Sequence, residues 1–202
     1  KGVLDHFRRL NGFKRGLEIF LHNDAPPGSG LGSSSAITVA LTRAIAEHLR
    51  LPLDDYQLAQ MAYQIERLDV GIKGGKQDQY SATFGGFNFV EFHGGMTVVN
   101  SLRLRYETLN ELEYSLVFAY VGGQHFSQII EEQVRNYQLG REKAISAMDN
   151  LKSLAYEMKN ALLLGKLREF GALLHAAWES KKQMAAGISN ERIDEIYAEV
   201  RR

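Results

Sequence analysis

Residues 26–36 read P-P-G-S-G-L-G-S-S-S-A, and this stretch constrains the backbone on both sides of it. Two prolines remove amide donors and three glycines loosen the chain, so neither a strand nor a helix can run through. Before it, Leu17, Ile19 and Leu21 alternate with Glu18, Phe20 and His22, which predicts a strand over 16–23. After it, S-S-S-A-I-T-V-A-L-T-R-A-I-A-E-H-L from Ser33 predicts a largely buried helix that Leu51-Pro52 breaks. A loop between such elements can turn several backbone N–H groups toward one point, where the helix dipole adds positive potential. That geometry suits a polyphosphate, and the serine hydroxyls can bond phosphate or Mg²⁺. The same residues also suit a plain glycine-rich turn closed by a serine N-cap.

Two other phosphate motifs do not fit. In the dinucleotide fingerprint G-x-G-x-x-G the third glycine position falls here on Ser33, and no acidic residue ends a second strand about 20 positions later. G-I-K-G-G-K at 71–76 has neither the Walker spacing nor a Ser/Thr after the lysine. Composition narrows the classes further. The 24 basic and 24 acidic residues give a net charge of zero, which argues against nucleic acid or a membrane surface as the main partner. With no cysteine there are no disulfides, thiolate metal sites or cysteine nucleophiles, which fits a cytoplasmic location. No apolar run approaches the roughly 18 residues of a membrane helix. The first residue is Lys1, so the chain is expected to begin inside a longer protein.

The remaining pattern is mixed. A short helix is expected over 3–10, and a second at 54–68 opened by Asp54 as N-cap. A loop at 69–76 leads to a short helix at 77–84, and F-N-F-V-E-F, H-G-G and M-T-V-V-N-S-L-R-L then predict a β-hairpin. Y-S-L-V-F-A-Y-V at 114–121 predicts a buried strand, with helices at 127–138, 142–164, 167–184 and 190–202. Strands early and helices late indicate an α+β chain rather than a βαβ series. A boundary is expected near 105–112, giving domains of 1–110 and 111–202.

The segment P-P-G-S-G-L-G-S-S-S-A resembles the phosphate-binding motif of the GHMP kinases, the group that includes galactokinase, homoserine kinase and mevalonate kinase. Residues 66–86, E-R-L-D-V-G-I-K-G-G-K-Q-D-Q-Y-S-A-T-F-G-G, resemble the matching stretch of its sugar kinases, above all the D-glycero-D-manno-heptose 7-phosphate kinases. The resemblance runs through most of the chain and is strongest at 24–90. It implies a ribosomal-S5-like N-terminal domain and a ferredoxin-like C-terminal domain, both incomplete here. It implies ATP as phosphoryl donor, held by Pro27, Gly28, Ser29, Gly30, Leu31, Gly32, Ser33, Ser34 and Ser35. It implies Mg²⁺ on Ser34 and Glu66, with Asp78 taking the proton of the substrate hydroxyl. The heptose kinases act on the anomeric oxygen, so a sugar phosphate is the implied small-molecule partner. Lys73 and Lys76 flank Asp78 and are candidates to touch the substrate phosphate.

The chain departs from the family in three places. An R-x-P-G-R-like strand has no counterpart before Lys1, and the late glycine-rich motif has none before Arg202, so the chain is expected to be a central piece that is a poor kinase by itself. The V-G-G-Q-H after the strand at 114–121 puts His125 where the heptose kinases carry arginine, a candidate anion contact. That leaves fucose, galactose or mevalonate open as acceptors, along with a non-catalytic sugar or nucleotide binder. His6, His22, His48, His93 and His175 show no metal-like clustering and are assigned surface or packing roles.

Overall fold

The computed structural model describes residues 1–10, 13, 16–25, 29–121 and 126–201. The chain separates into two compact units, one built from Lys1–Val99 and the other from Asn100–Val121 with the helices that follow.

The first unit is organised by helices whose apolar faces meet. Helix α1 (Gly2–Arg9) buries Val3 and Phe7, α2 (Ser33–His48) buries Val39, Ile45 and Ala46, and α3 (Asp55–Tyr63) buries Leu58, Ala59 and Ala62. The buried positions of α2, which include Ser35 and Thr42, recur three or four residues apart along one stripe of the helix. Val3, Phe7, Ile45, Ala46 and Ile65 form one core cluster, in which Phe7 is wholly buried. Burial of such a side chain stabilises by about 1.5–3 kcal/mol. Asp54 caps α3 as its residue type predicts. Its side chain accepts from the Gln57 N–H at 2.8 Å, and the Gln57 side chain accepts from the Asp54 N–H at 3.0 Å.

Helix α3 does not stop at Tyr63 but passes into a π-helical turn, Gln64–Asp69. Its wider winding places Ile65 and Glu66 inward as adjacent buried residues. Helix α4 (Gln77–Phe84) follows the 70–76 loop, and the hairpin β1 (Asn88–His93) and β2 (Met96–Ser101) forms the two-stranded sheet. Tyr56, Tyr80, Phe84 and Phe92 stack edge-on or in parallel between α3, α4 and β1, and the Val99 N–H donates to the Tyr56 hydroxyl at 3.1 Å.

The second unit contains α5 (Tyr106–Ser115), α6 (Phe126–Gln138), α7 (Glu142–Leu163), α8 (Leu167–Lys181) and α9 (Glu191–Val200). Helices α7 and α8 make a hairpin through Leu164–Lys166, tied by Asn150 donating to the Ser180 hydroxyl at 3.1 Å. On the far side His175 Nδ1 lies 2.8 Å from the Tyr197 hydroxyl of α9. Helices with a small sheet give the mixed α+β class read from the sequence. No helix among the described residues is long and apolar enough to cross a membrane.

Two expected strands are absent. Residues 16–23 form neither helix nor strand and pair with nothing among the described residues, and Phe20 is 87% exposed. Tyr114 and Ser115 close α5, Leu116 is extended, and 117–121 form neither helix nor strand, with Val117 and Phe118 exposed. Alternation favours an extended backbone, but a strand exists only where a second strand takes its N–H and C=O groups.

Candidate phosphate and carboxylate site

Helix α2 begins at Ser33, directly after the glycine loop. Gly32 is its N-cap and adopts the left-handed conformation, φ 73°, which a side chain would strain. Among the described residues no side chain caps this end, which leaves first-turn N–H groups of the helix for another acceptor. Ser29 Oγ is buried and has no hydrogen-bond partner among the described residues. An orphaned hydroxyl of this kind costs about 1–3 kcal/mol and fits a site meant to bond an incoming oxygen. Leu31 is exposed and Gly30 has φ 75°. Pro27, Gly28 and His125 lie outside the described residues.

Beside the loop, Glu66 is only 2% exposed and fully engaged. The Ser34 hydroxyl donates to Oε1 at 2.6 Å, the Ser35 hydroxyl to Oε2 at 2.7 Å, and the Gln79 amide to Oε2 at 2.6 Å. Burial alone would raise the Glu66 carboxyl pKa. The three hydrogen bonds and the Arg67 charge outweigh burial and hold it below the ordinary carboxylate range. Ser34 and Glu66 therefore sit together as the sequence motif implies. They offer hard oxygen donors of the kind that Mg²⁺ takes alongside phosphates and water. Among the described residues no group of three or more His, Cys, Asp or Glu side chains is placed to hold a metal. A cavity of about 230 Å³ borders Ser34 and Glu66, walled by Ile37, Leu41, Ile65 and Ile72.

Asp78 lies in the first turn of α4, one residue inside the helix, whose N-cap is Lys76. It is therefore not the cap of this helix. Its carboxylate is 41% exposed, and its ion-pair partner is Arg67, with Nη2 3.6 Å from Oδ2. Arg67 Nη1 is also 3.8 Å from Glu66 Oε1, so one guanidinium lies beside both carboxylates. The Lys76 ammonium turns instead to the Gln60 side-chain carbonyl at 3.4 Å and to the face of Tyr63, and Lys73 is exposed.

Three features of the site escaped the reading by motif. Ser35 is only 2% exposed, and its hydroxyl is committed to Glu66. Gln79 is wholly buried beneath the same carboxylate, and Arg67 holds the 71–76 loop. The signal was present in the adjacent pairs E-R and D-Q. Neighbours on a helix point about 100° apart, so if Asp78 faces outward Gln79 must face the packed side.

Residues 1–86 match the GHMP kinases N terminal domain. The chain is 43% identical over 187 residues to the D-glycero-alpha-D-manno-heptose 7-phosphate kinase of Campylobacter jejuni, covering 91% of this chain and 55% of that protein. It is 26% identical over 186 residues to the bifunctional fucokinase/GDP-fucose pyrophosphorylase of Arabidopsis thaliana, covering 90% of this chain and 18% of that protein. The crystal structure of a D-glycero-D-manno-heptose 1-phosphate kinase from Bacteroides thetaiotaomicron superposes with a TM-score of 0.71 at 39% identity, over 90% of this chain and 54% of that one. The chain thus spans about half the length of the heptose kinases it matches. Residues 1–86 thus match the GHMP kinases N terminal domain, and nine tenths of the chain is similar to heptose phosphate kinases.

Proposed function

We propose that this chain carries the catalytic centre of an ATP-dependent kinase that phosphorylates a sugar phosphate, at the anomeric oxygen of a heptose 7-phosphate. The observation that carries this reading is the single Arg67 guanidinium within 3.8 Å of Glu66 and 3.6 Å of Asp78. It sets a buried carboxylate for the nucleotide side beside a solvent-facing one for the acceptor side. Phosphoryl transfer asks for positioning and charge stabilisation around a loose transition state. The α2 N-terminal N–H groups and Ser29 receive the phosphate oxygens. Ser34 and Glu66 would hold Mg²⁺, which supplies positive charge to the phosphates when bound. Asp78 aligns the sugar hydroxyl and accepts its proton as the new O–P bond forms and the bond to the departing ADP breaks. Lys73, exposed beside this centre, is available to the phosphate of the acceptor.

The test is direct. The full-length protein with Mg-ATP and D-glycero-D-manno-heptose 7-phosphate should release ADP and give a sugar bisphosphate with a new anomeric phosphorus signal by NMR. The acceptor assignment fails if galactose, fucose or mevalonate is turned over faster. The kinase reading itself fails if no acceptor raises ADP release above the ATP-only background.

A further inference from the structure

Arg67 is a confined cationic side chain beside Glu66. It is 9% exposed and lies under the 71–76 loop. Its Nε donates to the Gly75 carbonyl at 3.2 Å and its Nη1 to the Lys73 carbonyl at 3.4 Å, while its charge faces Asp78 and Glu66. The loop is shaped around it, because a Cβ on Gly74 would stand 2.7 Å from the guanidinium carbon and 3.0 Å from Nε and Nη1. Only a planar, forked donor can serve two carbonyls and two carboxylates at once, and a lysine ammonium cannot reach them all. At 3.6 Å the contact with Asp78 is longer than a hydrogen bond, so the carboxylate oxygens stay open to a substrate hydroxyl.

We propose that Arg67 is a positioning residue, whose guanidinium fixes the 71–76 loop and sets Asp78 relative to Glu66, and that residue 74 is glycine both for its φ of 158° and because the guanidinium fills its side-chain space. The proposal rests on the reading of Asp78 as the base. Arg67 does not touch substrate; it acts through the carboxylate and the loop. The pairs Glu66–Gln79 and Arg67–Asp78 then cross-link the π-helical turn to α4 twice, once inside and once at the surface.

A double-mutant cycle in the full-length protein tests this, using Mg-ATP and D-glycero-D-manno-heptose 7-phosphate as probes. Arg67→Lys and Arg67→Met should each lower kcat by about 10- to 100-fold, the scale of a misplaced catalytic group, with KM for ATP little changed. In the Asp78→Asn background the same changes should cost less than about 3-fold, since the group being positioned is already gone. Gly74→Ala should lower kcat although Arg67 is intact, and should cost less once Arg67→Met has vacated the space, the remainder being backbone strain at φ 158°. Amide exchange over 71–76 should speed up in both Arg67 variants, a readout that needs no acceptor. Fully multiplicative losses of Arg67 and Asp78, or unchanged loop exchange in Arg67→Met, would overturn the proposal. If Arg67→Met fails to fold, Arg67→Lys and Gly74→Ala decide the matter. Failure of the underlying reading looks different: Asp78→Asn alone would then retain wild-type kcat.

Discussion

Phe7 and Phe20 lie close in the sequence, yet Phe7 on α1 is wholly buried and Phe20 in the 16–23 segment is 87% exposed. The same contrast separates the Val39, Leu58 and Ala62 cluster from Val117 and Phe118 in the 116–121 segment of the second unit. A helix satisfies its own backbone and needs only a neighbour for its apolar face. An extended segment leaves each N–H and C=O waiting for a partner strand, so its apolar residues are buried only if that strand exists. The helices of the first unit bury their apolar faces against one another, with the Ser34, Ser35, Glu66 and Gln79 network among them. The 16–23 and 116–121 segments display apolar surface of the kind that binds another surface.

The largest expected effect is at the buried end of this contrast. Phe7→Ala should lower unfolding stability by about 3–5 kcal/mol, measured by denaturant titration. Next in size, Asp78→Asn should reduce kcat of the full-length protein by about 10²-fold or more. Its melting temperature should shift only slightly, because the loss is that of one first-turn charge on the α4 dipole, about 0.3–1 kcal/mol, and of a part-exposed ion pair with Arg67, about 0–1 kcal/mol. A folded, ATP-binding variant that turns over at the wild-type rate would leave Asp78 a helix-dipole residue only.

Glu66→Gln should cost about 1–3 kcal/mol, because an amide N–H₂ must then face a hydroxyl or the Gln79 amide that now donates to a carboxylate. It should also alter the Mg²⁺ dependence of the rate, and an unchanged dependence would remove Glu66 from the metal site.

A smaller effect is expected from pH. The His6 hydrogen bond, aided by Gln64 and Arg9 and opposed by partial burial, holds the Asp69 carboxyl below its ordinary value of 3.8. A group with a lower pKa when folded stabilises fully above its unfolded value, and that contribution fades as pH falls through the folded one. Stability should drop on acidification below about pH 4, and Asp69→Asn should flatten part of that slope in thermal melts.

Smallest of all, Phe20→Ala in this chain should change stability by no more than about 0.5 kcal/mol. A loss as large as that of Phe7→Ala would show the 16–23 segment buried in solution and would erase the contrast. The same substitution costing far more in the full-length protein than in residues 1–202 would sharpen it.

The sequence by itself determined whatever depends on near neighbours. The helices follow from apolar spacing, and the α3 capping box from Asp54 and Gln57. The hairpin follows from H-G-G between two β-rich runs, and the start of α2 from glycines ahead of three serines. Ser34 and Glu66, named from two separate contiguous motifs, are in contact at 2.6 Å. Tertiary structure decided what depends on distant partners. Strand alternation at 16–23 and 114–121 favoured an extended chain but could not supply the second strand. Spacing also could not show that Arg67, rather than Lys73 or Lys76, stands beside Asp78, that Ser35 turns to Glu66, or that Gln79 is buried beneath it. Local sequence sets which way a backbone can run, whereas the charge or hydroxyl a side chain meets is fixed only when separate elements pack together.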